Sequence, residues 1–255
     1  MTTSPPSAAR VATCTEKSSE LDCWRVAKAG GAGAHEATQR LLTECEESQR
    51  TIACAAAADL SASTMSTDKL AVTSERGCHK IADSDDEAKL QGEACARAGD
   101  ARARRGQLLF AAMLYGTGCA LDHKPSCEAG LRNRSALERE GRAIDGVQFN
   151  MEGIADSDEV AYHVSDIGCR LEKSVDMFTF FGQVGLPFFD GKKKLANCVG
   201  AYGRVPVRWR THGGKITDVH ASGPLASCVE QALAGAPSPL HAICGAVIEG
   251  SATTP

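Results

Sequence analysis

Twelve cysteines hold most of the chemistry this 255-residue chain could do. Thiolates bind soft metals, attack substrates or pair as disulfides, and spacing decides among these uses. A structural zinc site needs close pairs such as C-x-x-C with matching Cys or His pairs, and a thioredoxin-type redox site needs C-x-x-C. Neither pattern occurs. The nearest neighbours are Cys14 with Cys23, Cys45 with Cys54, and Cys119 with Cys127, which are nine, nine and eight residues apart. On one helix such partners would lie about 12 Å apart. A disulfide needs Cα atoms within about 7 Å. The chain must therefore reverse between them, most simply by a tight turn joining two antiparallel helices. Each short loop closed this way is worth roughly 2–3 kcal/mol in the chain-entropy account. The rival readings are buried free thiols packed as small hydrophobes, or a reduced cytosolic protein that handles soft metals.

Other candidates for chemistry are sparser. Ser66-x-x-Lys69 has the spacing of a β-lactam-reactive serine, with Lys69 one helical turn from the hydroxyl. The companion S-D-N and K-T-G motifs are absent, and the alternative is a capping Ser followed by an exposed Lys. His212, Asp218 and His220 fall near one predicted hairpin, and Asp218 and His220 share a strand face. They offer two metal ligands or an acid–base pair, but no third ligand at a set spacing. Cys78-His79 is a poor chelate, because helix neighbours point about 100° apart. The phrases IADSDDEA (81–88) and IADSDEVA (154–161) lack the central glycine of a calcium loop and read as capped helix starts. No metal site and no cofactor is expected.

Residues 191–217 carry Lys192, Lys193, Lys194, Arg204, Arg208, Arg210 and Lys215 with no acidic residue, in a chain of net charge −4. This local field suits an acidic partner or cell-wall polymer. Only Trp209 interleaves with it, so nucleic acid is not an expected partner. Five of the seven phenylalanines lie in FTFFGQVGLPFF (178–189), which is either core or an exposed docking patch. Phe188 and Phe189 join Lys192, Lys193, Lys194, Arg204, Arg208 and Arg210 as candidate binding residues.

The elements that must position these residues divide the chain in four. The chain is 43% hydrophobic and 24% charged, which fits globular domains rather than disorder. Residues 1–12 read as a flexible tail. Met1 to Arg10 has no apolar segment of a signal peptide, and the longest apolar run, Ala53 to Leu60, is too short to span a bilayer. From 13 to 135 apolar residues recur at three- and four-residue spacing, with small residues such as Ala55, Ala56, Ala57 and Ala58 that let helices approach closely. The cysteines repeat with an offset of about 32 residues: Cys14 to Cys45 is 31, Cys23 to Cys54 is 31, Cys45 to Cys78 is 33 and Cys95 to Cys127 is 32. The segments LLTECEESQRTIACAAAAD (41–59) and AMLYGTGCALDHKPSCEAG (112–130) share a plan: a helix ends in Cys, turns, and a second Cys opens the next helix. Cys78 and Cys95 have no partner eight or nine residues on.

Residues 13–135 resemble Sel-type, tetratricopeptide-like helical repeats of the cysteine-rich bacterial kind, most closely in LYGTGCALDHKPSC. The resemblance implies a solenoid of disulfide-stapled αα-hairpins in an exported adaptor, and some such proteins are linked to β-lactam binding. Residues 136–190 read as a connector with a helix and the Phe-rich segment. In 191–250, GKKKLANCV predicts a helix, RVPVRWR and KITDVHAS a β-hairpin through THGG, PLASCVEQALAG a helix and AICGAVIEG a third strand. Gly203-x-Val205-x-Val207, Gly213-Gly214, Ile216-x-x-Val219 and Ser227-Cys228-Val229 resemble the C-terminal domain of TonB-type transducers and of related gliding-motility proteins. That resemblance implies a Cys198–Cys228 pair, and leaves Cys78, Cys95, Cys169 and Cys244 unassigned. The expected protein is thus a mixed chain, an α-helical repeat domain followed by a small α+β (ββαβ) domain. It is read as an exported, non-enzymatic scaffold of the cell envelope, periplasmic or outer-membrane anchored, with its signal segment absent from this chain. Its expected partners are other envelope proteins or peptides. The alternative is a weak cell-wall or β-lactam-binding hydrolase using Ser66 and Lys69.

Overall fold

A computed structural model describes residues 14, 19–80, 82–155, 162–200 and 203–250. The tail over 1–12 and most of IADSDEVA (156–161) lie outside the described residues. Seven helices come first: α1 (Glu20–Ala29), α2 (Ala34–Ser48), α3 (Thr51–Leu60), α4 (Thr67–Gly77), α5 (Asp85–Arg104), α6 (Leu108–Cys119) and α7 (Lys124–Arg139). Then come β1 (Phe149–Ala155), β2 (Tyr162–Leu171), α8 (Met177–Val184), α9 (Leu186–Asp190), α10 (Lys192–Val199), β3 (Arg204–His212), β4 (Lys215–Ala221), α11 (Ala226–Leu233) and β5 (Ala242–Gly250). Two compact units result: Met1–Ala101 with Leu114–Gly130, and Arg102–Met113 with Leu131–Pro255.

In the first unit, small side chains set the packing. Ala53 and Ala55 to Ala58 on α3 are fully buried. Alanine is the best helix former and leaves the backbone accessible to a neighbour. At the end of α4, a Cβ on Gly77 would lie 2.6 Å from the Ala55 backbone. On α5, a Cβ on Gly99 would lie 2.5 Å from the Tyr115 ring, whose hydroxyl donates to Asp100 at 2.7 Å. Glycine thus lets a second backbone approach at Gly77 and an aromatic ring pack against the helix at Gly99. Polar ties add to the packing. Asp59 accepts from Trp24 Nε1 at 2.9 Å, Lys28 at 2.8 Å and Arg97 at 3.2 Å, joining α1, α3 and α5. Burial opposes its charge, but the Lys28 and Trp24 hydrogen bonds and the two cations win and hold its carboxyl below the usual aspartate range.

Disulfides staple successive helices in this unit. Cys45 on α2 bonds Cys54 on α3, Cys78 at the end of α4 bonds Cys95 on α5, and Cys119 closing α6 bonds Cys127 on α7. Cys14 bonds Cys23 on α1. The pair with no assignment by spacing, Cys78–Cys95, spans 17 residues because an irregular segment precedes α5. There Ser84 Oγ accepts from Glu87 N–H at 3.4 Å, while Glu87 accepts from Asp83 N–H at 2.8 Å. This reciprocal cap, with Asp85, Asp86 and Glu87 in the first turn, places the described part of IADSDDEA at a helix start.

His123 sits in the turn between α6 and α7. Ser126 Oγ, fully buried, donates to Gly92 C=O at 3.2 Å and so accepts from His123 Nδ1–H at 2.9 Å. Burial pushes the His123 imidazole below the usual histidine value; Glu93 opposes this, and Arg97 and Lys89 reinforce it. The unfolded chain therefore takes up this proton first as pH falls below about 6.5. His123 costs no stability above that pH, and stability falls as pH drops from there toward its folded value. Thermal melts at pH 7.5 and 5.0 are expected to show a larger drop for the wild-type chain than for His123→Asn. Equal drops would remove His123 as the cause.

The second unit is built on an antiparallel sheet in the order β1-β2-β5-β3-β4. One face carries the core. Val205, Val207 and Trp209 alternate inward on β3, as do Ala242, Cys244, Ala246 and Ile248 on β5. They pack on Phe180, Val184, Phe188, Leu195, Val199, Val229 and Leu233 from α8 to α11. The expected hairpin, the helices of the basic segment and the third strand all form. Two further strands come from residues 136–190, read from sequence as a connector, and the Phe-rich segment forms helices there.

β2 changes parity part-way. Tyr162 and Val164 face the core, and after a register shift between Ser165 and Gly168 so do Ile167 and Cys169. Asp166, at φ 47°, occupies this bulge and is turned to the opposite face. On that face the first turn of α6 lies on glycines: a Cβ on Gly168 would meet Leu109 Cβ at 2.8 Å, and one on Gly245 would meet Leu109 Cδ1 at 3.1 Å. Asp166 accepts from the N–H groups of Leu109 and Phe110 at 3.0 and 3.1 Å and bonds Arg142 at 2.8 Å. Two disulfides complete the unit. Cys169–Cys244 links register partners of β2 and β5, and Cys198–Cys228 links α10 to α11.

All twelve cysteines are paired. Six disulfides with no free thiol point to folding in an oxidising, extracytoplasmic environment. No described helix is long and apolar enough to cross a membrane.

Candidate functional site

The basic segment does not form one surface. Arg204, Arg208 and Arg210 alternate with the core-facing residues of β3 and so line the opposite face of the sheet. The α10 lysines lie in the helical layer over the core face, where Leu195, Cys198 and Val199 turn inward and Lys193 and Lys194 are exposed. Sequence adjacency placed these charges together, and the strand alternation separates them.

The three arginines also differ from one another. Arg204 reaches Glu249 at 3.3 Å and Glu140 at 3.4 Å. Arg210 lies 4.0 Å from Glu172. The side chain of Arg208, a partly exposed residue, has no hydrogen-bond or ion-pair partner among the described residues. It lines a cavity of about 300 Å³ with Glu138, Gly141, Ala143 and His220. His220 is the cross-strand partner of Arg208, and its Nε2 lies 3.0 Å from Asp218. His212 pairs edge-on with His241 instead, with ring centroids 6.1 Å apart. Among the described residues no cluster of three His, Cys, Asp or Glu could hold a metal.

The Phe-rich segment splits between core and surface. Phe188 is corrected from a binding candidate to a core residue. It is 2% exposed, its ring meets Trp209 edge-on at 5.3 Å, and its carbonyl accepts from the Tyr162 hydroxyl. Phe180 is buried and stacks on Phe149 at 4.8 Å. Helix periodicity turns the remaining residues outward: Met177, Phe178 and Phe181 on α8, and Leu186 and Phe189 on α9. Phe178 is 90% exposed, so almost none of its ring is covered by this chain.

The chain matches no family model, no curated protein and no solved structure.

Ser66 and Lys69 have other tasks. Ser66 is the N-cap of α4, its Oγ accepting from the Lys69 N–H at 3.4 Å. The Lys69 ammonium lies 2.6 Å from Glu46, whose carboxyl this hydrogen bond holds below the usual range. A lysine occupied as a cation partner is not poised to take a proton from serine. Ser66→Ala is expected to cost about 0.5–1 kcal/mol of stability by loss of the cap. Mass spectrometry is expected to find no covalent β-lactam adduct on either protein. An adduct on the wild type that is lost in the variant would reinstate the serine as a nucleophile.

Proposed function

We propose that this chain is a non-enzymatic adaptor of the cell envelope that makes protein–protein contacts. The observation that carries this reading is the outward set of Met177, Phe178, Phe181, Leu186 and Phe189 on two successive short helices. Large apolar side chains left exposed on neighbouring helices mark a contact site. Aromatic residues also supply most of the energy at protein interfaces. In this reading the first unit is an array of αα-hairpins of the Sel type. Four disulfides between successive helical segments, with glycine and alanine at the close approaches, support it. The order β3, β4, α11, β5, with β5 beside β3, supports a TonB-like module in the second unit, here extended by β1 and β2.

A photo-crosslinking residue placed at Phe178 in the native host tests the contact site. Its control is the same residue at Leu131, which is also exposed but lies on α7. The expected result is a discrete protein adduct from position 178 that is absent from position 131 and weakened by Phe181→Ser. The same adducts from both positions, or none from 178, would overturn the reading.

A further inference from the structure

We propose that the cavity between α7, the loop after it and the β3–β4 hairpin binds a small zwitterion, a molecule that carries a carboxylate and an ammonium group. This site is separate from the apolar surface on α8 and α9, and the proposal does not depend on that reading.

The argument begins with Arg208. A guanidinium carries five donors in a flat fork that fits a carboxylate through two parallel hydrogen bonds. Along β3, Arg204 and Arg210 have carboxylates near them from this chain, and Arg208 has none among the described residues. Its side chain is partly buried, and its fork is left without an anion among the described residues, so an incoming carboxylate meets an unmatched guanidinium. A largely open surface depression of about 300 Å³ adjoins it, lined by Glu138, Gly141, Ala143, Arg208 and His220.

The other lining residues select among anions. Glu138 shares the cavity, and Arg134 Nε donates to only one of its oxygens, Oε1, at 2.9 Å. A carboxylate on the wall repels a phosphate dianion more than it repels a singly charged carboxylate, and it attracts an ammonium group. His220 reinforces this pattern. It lines the same wall, and its Nε2 lies 3.0 Å from Asp218, which sets a second carboxylate behind the ring. Ala143 and Gly141 add a wall without charge or bulk. One cation and one carboxylate across a small depression match an amino-acid-sized zwitterion, with its carboxylate on Arg208 and its ammonium toward Glu138.

The test uses the full, disulfide-bonded chain and three probes: alanine, propionate and inorganic phosphate. Calorimetric titration is expected to give saturable alanine binding, weaker propionate binding and still weaker phosphate binding. Arg208→Gln is expected to weaken alanine binding roughly tenfold or more, about the worth of one charge-assisted pair. Arg208→Lys keeps the charge and loses the fork, and should fall between the two. Glu138→Gln should weaken alanine binding and leave propionate unchanged or tighter, which separates ammonium recognition from a general loss of structure. Melting temperatures near the wild-type value are expected for these variants, since none of the substitutions removes a buried partner. No saturable alanine binding by the wild type, phosphate bound more tightly than alanine, or alanine binding unaffected by Arg208→Gln would each overturn the proposal.

Discussion

Replacing Cys169 and Cys244 together by alanine is expected to lower the unfolding free energy of the sheet unit by about 4 kcal/mol. This bond closes the longest disulfide loop in the chain, spanning 75 residues. Cys198–Cys228 lies inside that loop and takes 30 residues out of the path, which leaves an effective loop of about 45 residues. In the chain-entropy account a loop of that size still contributes about 4 kcal/mol, against roughly 2.5 kcal/mol for the nine-residue separation of Cys45 and Cys54. The bond also joins the central strand β5 to its neighbour β2, and both cysteines are fully buried. The two tryptophans make the comparison direct. Trp209 is buried in the sheet core beside Phe188, and Trp24 lies on α1 in the helical unit. Fluorescence during urea unfolding should show the Trp209 transition shifting further for the 169/244 pair than the Trp24 transition shifts for the 45/54 pair. Equal shifts would mean that loop length does not govern the stabilisation here.

The sequence made the staples legible where spacing was short and geometry strict. A separation of eight or nine residues excludes a single helix, and at all three such sites the structure has a disulfide. Cys78–Cys95 escaped that logic because its loop of 17 residues exceeds the eight or nine of the other staples, although both cysteines keep the offset of about 32 residues. Cys169 and Cys244 escaped it because strands far apart in sequence become register partners only once the sheet is assembled. β1 and β2 were hidden for a related reason. The bulge at Asp166 breaks the apolar alternation of β2 in mid-strand, so neither a strand nor a helix period survives across Tyr162–Leu171. β3 kept a clean alternation and was readable. That same alternation sends its arginines away from the α10 lysines, which a count of charge along the sequence does not register. The Arg208 cavity left only a partial sequence signal. Arg208 stood out as one of many cations, but its missing partner depends on which carboxylates the fold brings near Arg204 and Arg210.

Asp166→Ala is the single substitution expected to cost most, about 3–5 kcal/mol. The carboxylate is buried and does two jobs. It satisfies two N–H groups in the first turn of α6, where the helix presents unpaired donors and a partial positive charge. It also pairs with Arg142, which has no exposed surface and whose fork is otherwise held by Glu140 at 2.9 and 2.5 Å. Removing the carboxylate leaves a buried cation short of one partner and two buried donors with none, and alanine supplies no acceptor to either. Asp166→Asn retains one oxygen and removes the charge, so its loss should be smaller, about 1.5–3 kcal/mol. Combining Asp166→Asn with Arg142→Met removes both charges and keeps an acceptor for the helix. The double variant is expected to lose less than the sum of the two single losses, because a buried charge is more harmful alone than absent. Urea unfolding followed through Trp209 gives each value. A double variant whose loss equals or exceeds that sum would show that Arg142 and Asp166 stabilise the fold independently rather than as a pair.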